Sequence, residues 1–208
     1  MKVLVFGGTG RVGQSVLEYA LAGGHEVTAF VRNRARVTTM HERLSLVEGD
    51  IYSADTVRAA MNAGFAAVIN VIGGDVFKAS TLVTDGARIL VGAMQQVGLS
   101  RYLGITGIAE MRPRGLGGIT QRILRLSPLK HAVRDHDAAW DIVRESGLNY
   151  TLAGCPYIKD GAHKGNYHVV PDTFPGGFHT ISPQDVADFL VRELAAAKYS
   201  RRIIGIWY

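Results

Sequence analysis

The stretch "VFGGTGRVGQ" at residues 5–14 constrains this chain more than any other. Gly7, Gly10 and Gly13 fall three residues apart, directly after the apolar run Val3 to Phe6. A tighter G-x-G-x-x-G spacing also runs through Gly8, Gly10 and Gly13. An apolar strand that runs into glycines and then into a helical pattern admits few folds. The first glycine permits a sharp turn, the second leaves the backbone open to close approach, and the third lets the helix pack tightly on the strand. A helix that opens there turns unpaired N–H groups and the positive end of its dipole toward an anion.

The rest of the pattern agrees. Residues 11–22 place Val12, Val16, Leu17 and Ala20 on one helical face. Strands are expected at "VTAFV" (27–31), "LSLVEGD", "AAVINVI" (66–72), "RYLGIT", "NYTLAG" and the closing "RRIIGIWY". Helices are expected over "TLVTDGARILVGAMQQVG", residues 131–146, and "SPQDVADFLVRELA", where Ser182 caps and Pro183 takes the first helical position. Strands alternating with long helices predict an α/β Rossmann-type, doubly wound parallel sheet with helices on both faces. The 208 residues predict one domain, 1–208. In such a sheet ligands bind beyond the carboxyl ends of the strands, where the glycine loop would lie. A strand, this loop and a helix in one unit predict a dinucleotide's pyrophosphate there.

Composition narrows the partners. Hydrophobic residues make up 47% and charged residues 20%, as in a globular protein. No run of 18 apolar residues is present, and the apolar stretch in "MKVLVFGG" is too short for a signal-peptide core. A single cysteine, Cys155, forms no internal disulfide and reads as a small buried hydrophobe. No H-E-x-x-H spacing occurs, so no metal is expected. The net charge of +5 comes without a nucleic-acid module or an aromatic–basic stripe. The expectation is a cytoplasmic monomer or small homo-oligomer, with a small-molecule partner and no nucleic-acid or membrane partner.

The end of the second strand speaks to the choice of cofactor. A protein selecting NAD usually places Asp or Glu there for the ribose hydroxyls. Here "FVRNRAR" places Arg32 at the tip, with Arg34 and Arg36 beyond, and Arg11 stands in the glycine loop. Guanidinium groups suit the extra phosphate of NADP.

With these residues in view, the chain resembles the atypical short-chain dehydrogenase/reductases, the NAD(P)-binding NmrA-like group, and within it the biliverdin-IXβ and NADPH-dependent flavin reductases. The resemblance spans the whole chain. It rests on "GGTGRVG", "VEGDI" (47–51), "INVIGG" (69–74), "RESGLNYTLAGCPYI" and "ISPQDVADFL". It implies that Gly7, Thr9, Gly10, Arg11, Val12 and Gly13 meet the pyrophosphate of NADP(H) and that Arg32 and Arg36 meet its 2′-phosphate. It also implies Asp50 and Ile51 at the adenine, and Ile72 and Gly73 on the nicotinamide side. Thr106 stands just before the family's active-site serine, and Pro156 and Tyr157 flank the nicotinamide and substrate.

The departures bear on chemistry. No Tyr-x-x-x-Lys pair occurs. Aligned on "RESGL", the tyrosine position is Ala132 and the lysine position is His136, and the serine after Thr106 is Gly107. Reduction of a simple ketone needs a positioned acid, whereas hydride transfer to a conjugated acceptor needs mostly orientation. The expected enzyme is an NADPH-dependent reductase of a flavin (FMN or FAD), a quinone or a biliverdin-like tetrapyrrole. Thr106, His136 and Tyr157 are its candidate catalytic residues, with His136 either a proton relay or a packed side chain. The alternative is an NmrA-like redox sensor that binds NADP(H) without turnover. The glycine-rich segment 107–130 reads as a mobile substrate-side loop whose Arg112 and Arg114 meet an anionic acceptor.

Overall fold

The computed structural model describes residues 1–113 and 115–208, Glu110 through its backbone only. Arg114 lies outside the described residues. In chain order the elements are β1 (Lys2–Phe6), α1 (Arg11–Ala22), β2 (Glu26–Val31), β3 (Leu44–Glu48), α2 (Ala54–Met61), β4 (Ala67–Asn70), α3 (Leu82–Gln96) and β5 (Arg101–Gly107). There follow the short β6 (Arg112–Pro113), α4 (Gly117–Leu126), α5 (Lys130–Glu145), β7 (Asn149–Cys155), β8 (Tyr157–Ile158), β9 (His168–Pro171), β10 (Thr173–Phe174), β11 (Thr180–Ile181), α6 (Pro183–Ala196) and β12 (Arg202–Trp207).

Eight strands form one sheet in the order β3-β2-β1-β4-β5-β7-β12-β9. All neighbours run parallel except β9, which pairs antiparallel with β12 at the edge. The chain winds outward from β1 through β2 to β3, then returns to the other side of β1 as β4. That reversal opens a crevice above β1 and β4.

The central strands β1 and β4 are almost wholly apolar because both faces are covered. Alternate residues of β1 serve opposite layers: Leu4 and Phe6 pack with Val57, Met61, Leu90 and Met94 of α2 and α3. Val3 and Val5 pack with Val16 and Leu17 of α1 and Leu190 of α6. Ser182 caps α6 by accepting from the Asp185 N–H at 3.0 Å, and Pro183 takes its first position, as the sequence predicts.

Three features depart from expectation. The edge strand β9 makes the sheet mixed rather than wholly parallel. The eight-residue α2 buries only Val57 and Met61, too short a pattern to read as a helix. Segment 107–130 is not an open loop: it holds β6 and the helix α4. Gly117 is buried beneath the Phe174 carbonyl oxygen, 2.8 Å from where a Cβ would stand, so packing there requires its lack of a side chain.

Candidate functional site

The three glycines of the loop between β1 and α1 answer to different demands. Gly7 has φ +85°, in the left-handed region, and a Cβ on it would stand 2.7 Å from the Val71 carbonyl. A Cβ on Gly13 would run into the Gly7 carbonyl oxygen. Gly10 is extended, at φ −80° and ψ 169°, and a Cβ there would meet only the Gly7 carbonyl oxygen, at 3.3 Å. The fold therefore requires glycine at 7 and 13, whereas at 10 it leaves room that a ligand can use. Gly8, in the tighter spacing, faces the Leu17 and Ala29 side chains.

Gly10 is also the N-terminal flank of α1, which has neither a side-chain cap nor an acidic residue in its first turn. Its free N–H groups and dipole favour an anion. Above it lies a cleft of about 220 Å³. The glycine loop lines it with Gly7, Thr9 and Gly10, the end of β2 with Phe30, Val31, Arg32 and Arg36, the turn after β3 with Gly49, Ile51 and Tyr52, and the end of β4 with Val71, Ile72 and Gly73. Among the described residues, no Asp or Glu lines it. A bare helix N-terminus, an open Gly10 and two guanidinium side chains around an apolar floor fit a dinucleotide with an extra phosphate.

The other arginines are engaged elsewhere. Arg34 donates to the Leu46 carbonyl oxygen at 3.1 Å. Arg11 pairs with Asp160 at 2.7 Å on the surface. Val12 and Gly13 lie buried in the first turn of α1. Asp50 does not line the cleft; its carboxylate accepts from the Tyr52 N–H at 3.0 Å and shapes the turn that presents Ile51 and Tyr52.

Ile72 also lines a second, smaller cavity of about 20 Å³, which brings together Thr106 and His136 with Asn70, Tyr102 and Trp140. Asn70 donates to the Tyr102 hydroxyl at 2.8 Å and accepts from the Ile72 N–H at 3.1 Å. Burial pushes the Tyr102 phenol up to about 12. Burial also holds the His136 imidazole below its ordinary range, outweighing the Asp135 and Asp137 charges that pull the other way.

Tyr157 does not join Thr106 and His136. It lines neither cavity, is 61% exposed and leans on Phe178, ring centroids 6.4 Å apart. Pro156 lines neither cavity. Cys155 is buried, and burial alone pushes its thiol up, which keeps it unreactive. Sequence reasoning missed Tyr52, Asn70 and Tyr102. Tyr52 directly follows "VEGDI" and Asn70 lies within "INVIGG", motifs it did find, whereas Tyr102 carried no signal beyond its place in an apolar strand.

The profile of the NAD(P)H-binding family matches residues 7–197. The chain belongs to that family. A 3-beta-hydroxysteroid dehydrogenase of Mycolicibacterium neoaurum is 33% identical over 114 residues, 49% of this chain and 31% of that protein. An uncharacterized chloroplastic protein of Arabidopsis thaliana is 26% identical over 224 residues, 99% of this chain and 76% of that one. The chain thus spans about a third of the steroid dehydrogenase's length. A short-chain dehydrogenase/reductase of Veillonella parvula, solved in complex with NADP, superimposes with TM-score 0.81 at 18% identity, over 99% of this chain and 93% of that one. A candidate NADH-flavin reductase of Streptococcus pneumoniae does so with TM-score 0.79 at 25% identity, over 100% and 99%. An anaerobilin reductase of Escherichia coli has TM-score 0.79 at 24% identity, over 99% and 96%. The shared fold is the Rossmann-type sheet, and NAD(P)H is the cofactor of the NAD(P)H-binding family to which the chain belongs.

Proposed function

We propose that the protein is an NADPH-dependent reductase of a conjugated acceptor: a flavin, a quinone or a biliverdin-like tetrapyrrole. The observation that carries this reading is the lining of one cleft by both Gly10 and the pair Arg32 and Arg36. Thr9, Gly10 and the N-terminus of α1 hold the pyrophosphate, and the two arginines hold the 2′-phosphate. Ile51 and Tyr52 flank the adenine, and Ile72 and Gly73 support the nicotinamide side. Val12 and Gly13 act through the packing of α1, Arg11 from the rim, and Asp50 by shaping its turn. Pro156 and Tyr157 stand apart from this assignment.

Bound NADPH supplies a hydride. Beside Ile72 the chain offers Thr106 and a neutral His136 rather than a Tyr–Lys pair. A neutral imidazole donates one hydrogen bond and is a weak acid, so the chain orients the acceptor more than it protonates it. An acceptor that spreads the incoming charge over a conjugated system can take its proton from water. The flavin and anaerobilin named for two structural neighbours are acceptors of this kind.

The test is a turnover screen with NADPH against FMN, a quinone, biliverdin and a simple ketone, followed at the nicotinamide absorbance. Oxidation with a conjugated acceptor and none with the ketone is expected. NADPH binding without oxidation by any acceptor would overturn the reductase and leave a dinucleotide sensor.

A further inference from the structure

α4 lines neither cavity. Its inner side is fully engaged: Gly117 is buried, Gln121 donates to the Ile108 carbonyl oxygen at 3.2 Å, and Leu124 packs on the core. Its outer side carries Leu116, Ile119, Ile123 and Leu126, each 61–76% exposed. Spacings of three, four and three residues put these four aliphatic side chains on one face. Phe178, 84% exposed, follows Gly177, whose N–H donates to the Thr120 hydroxyl of α4 at 2.9 Å. A contiguous exposed apolar stripe of this kind marks an interaction surface.

The charge around it is an independent observation. From Met111 to Arg134 the sequence carries Arg112, Arg114, Arg122, Arg125, Lys130 and Arg134, with no Asp or Glu among them. Arg112, Arg122 and Lys130 are exposed, as is Arg125, which is paired with Asp137. A surface complementary to this face must be apolar and anionic at once. A second copy of the chain would set cations against cations, which costs affinity. A bilayer with anionic headgroups meets both demands, with apolar side chains in the acyl boundary and cations among the phosphates.

We propose that α4 seats the protein on the surface of an anionic phospholipid bilayer. Leu116, Ile119, Ile123 and Leu126 enter the boundary, and Arg112, Arg122 and Lys130 meet the headgroups. The helix lies in the membrane plane, since ten residues make only about 15 Å.

Co-sedimentation of the full chain with vesicles tests this. One set is phosphatidylcholine alone, and the other is phosphatidylcholine and phosphatidylglycerol in equal parts. Binding to the mixed vesicles is expected to exceed binding to the neutral ones by about 10-fold or more, and to weaken with salt. The double variant Ile119→Gln with Ile123→Gln is expected to lose about 10-fold or more on the mixed vesicles. Arg122→Gln with Lys130→Gln is expected to remove the preference for the anionic set. These side chains are exposed, so circular dichroism and melting should stay those of the parent. Failure to sediment, equal binding to both sets, or full binding by the stripe variant would overturn the proposal. A lipid-free dimer that Ile123→Gln dissociates would assign the face to a second copy and overturn it as well.

Discussion

Gly10 is the residue at which the demands of fold and ligand separate. Its backbone is extended and its missing side chain would meet a single protein atom, so Gly10→Val should leave the circular-dichroism spectrum unchanged while calorimetry finds dinucleotide binding abolished. Arg32 is the corresponding residue for selectivity. NADPH should bind about 10-fold tighter than NADH, worth about 1.4 kcal/mol, and Arg32→Glu should erase or invert that ratio. Equal wild-type affinities would sink this assignment. His136 makes a prediction about pH. Its folded-state value lies below the ordinary 6.5, so the unfolded chain takes up the proton first. The stability that rests on a neutral His136 is complete above 6.5 and is lost as pH falls through 6.5 toward the folded value. Melting temperature should therefore drop on mild acidification, and His136→Gln should flatten the drop. Gly10 and Arg32 were legible because strand, turn and side chain are local in sequence. The diversion of Arg11 was not: its partner Asp160 stands 149 residues away.

Among the elements, α3 owes its start to a residue of another helix. Thr81 gives it no side-chain cap; instead the buried Asp135 of α5 accepts from the Val83 and Thr84 N–H groups at 3.1 and 2.9 Å, and from the Thr84 hydroxyl at 2.6 Å. Asp135→Ala would leave the Val83 and Thr84 N–H groups buried and unpaired, while the Thr84 hydroxyl keeps the backbone carbonyl oxygen of residue 135. It should cost about 1–3 kcal/mol in urea unfolding, against a few tenths for Asp137→Ala at the exposed ion pair with Arg125. Sequence periodicity found the long helices and central strands, because burial on one face or two writes a period into the residues. It missed α4 for the opposite reason: that helix turns its aliphatic residues outward, and its leading glycines look like a loop. The cap from Asp135 left no trace either, since it joins positions 51 and 52 residues apart.

At the scale of the whole molecule, a buried ion pair ties the sheet to its covering layer. Arg101 of β5 meets Glu193 of α6 at 2.9 Å, with side chains 11% and 3% exposed. The same carboxylate accepts from the Tyr199 N–H at 2.8 Å. Removing one partner strands the other charge in the interior, so Glu193→Ala should cost about 3–5 kcal/mol, read as a large fall in melting temperature. Parallel winding was legible from the alternation of strands and helices, whereas the pairing of β9 across β12 was not, because both are edge-side pieces set by the far end of the chain. The two cavities divide the sequence unevenly. Every residue of the larger falls between Phe6 and Leu82, every residue of the smaller between Asn70 and Leu152, and only Ile72 is common to both. On the proposed reading such a chain can be retooled in parts: substitutions beyond Leu82 can change the acceptor, generation after generation, while the residues that line the larger cleft are inherited intact.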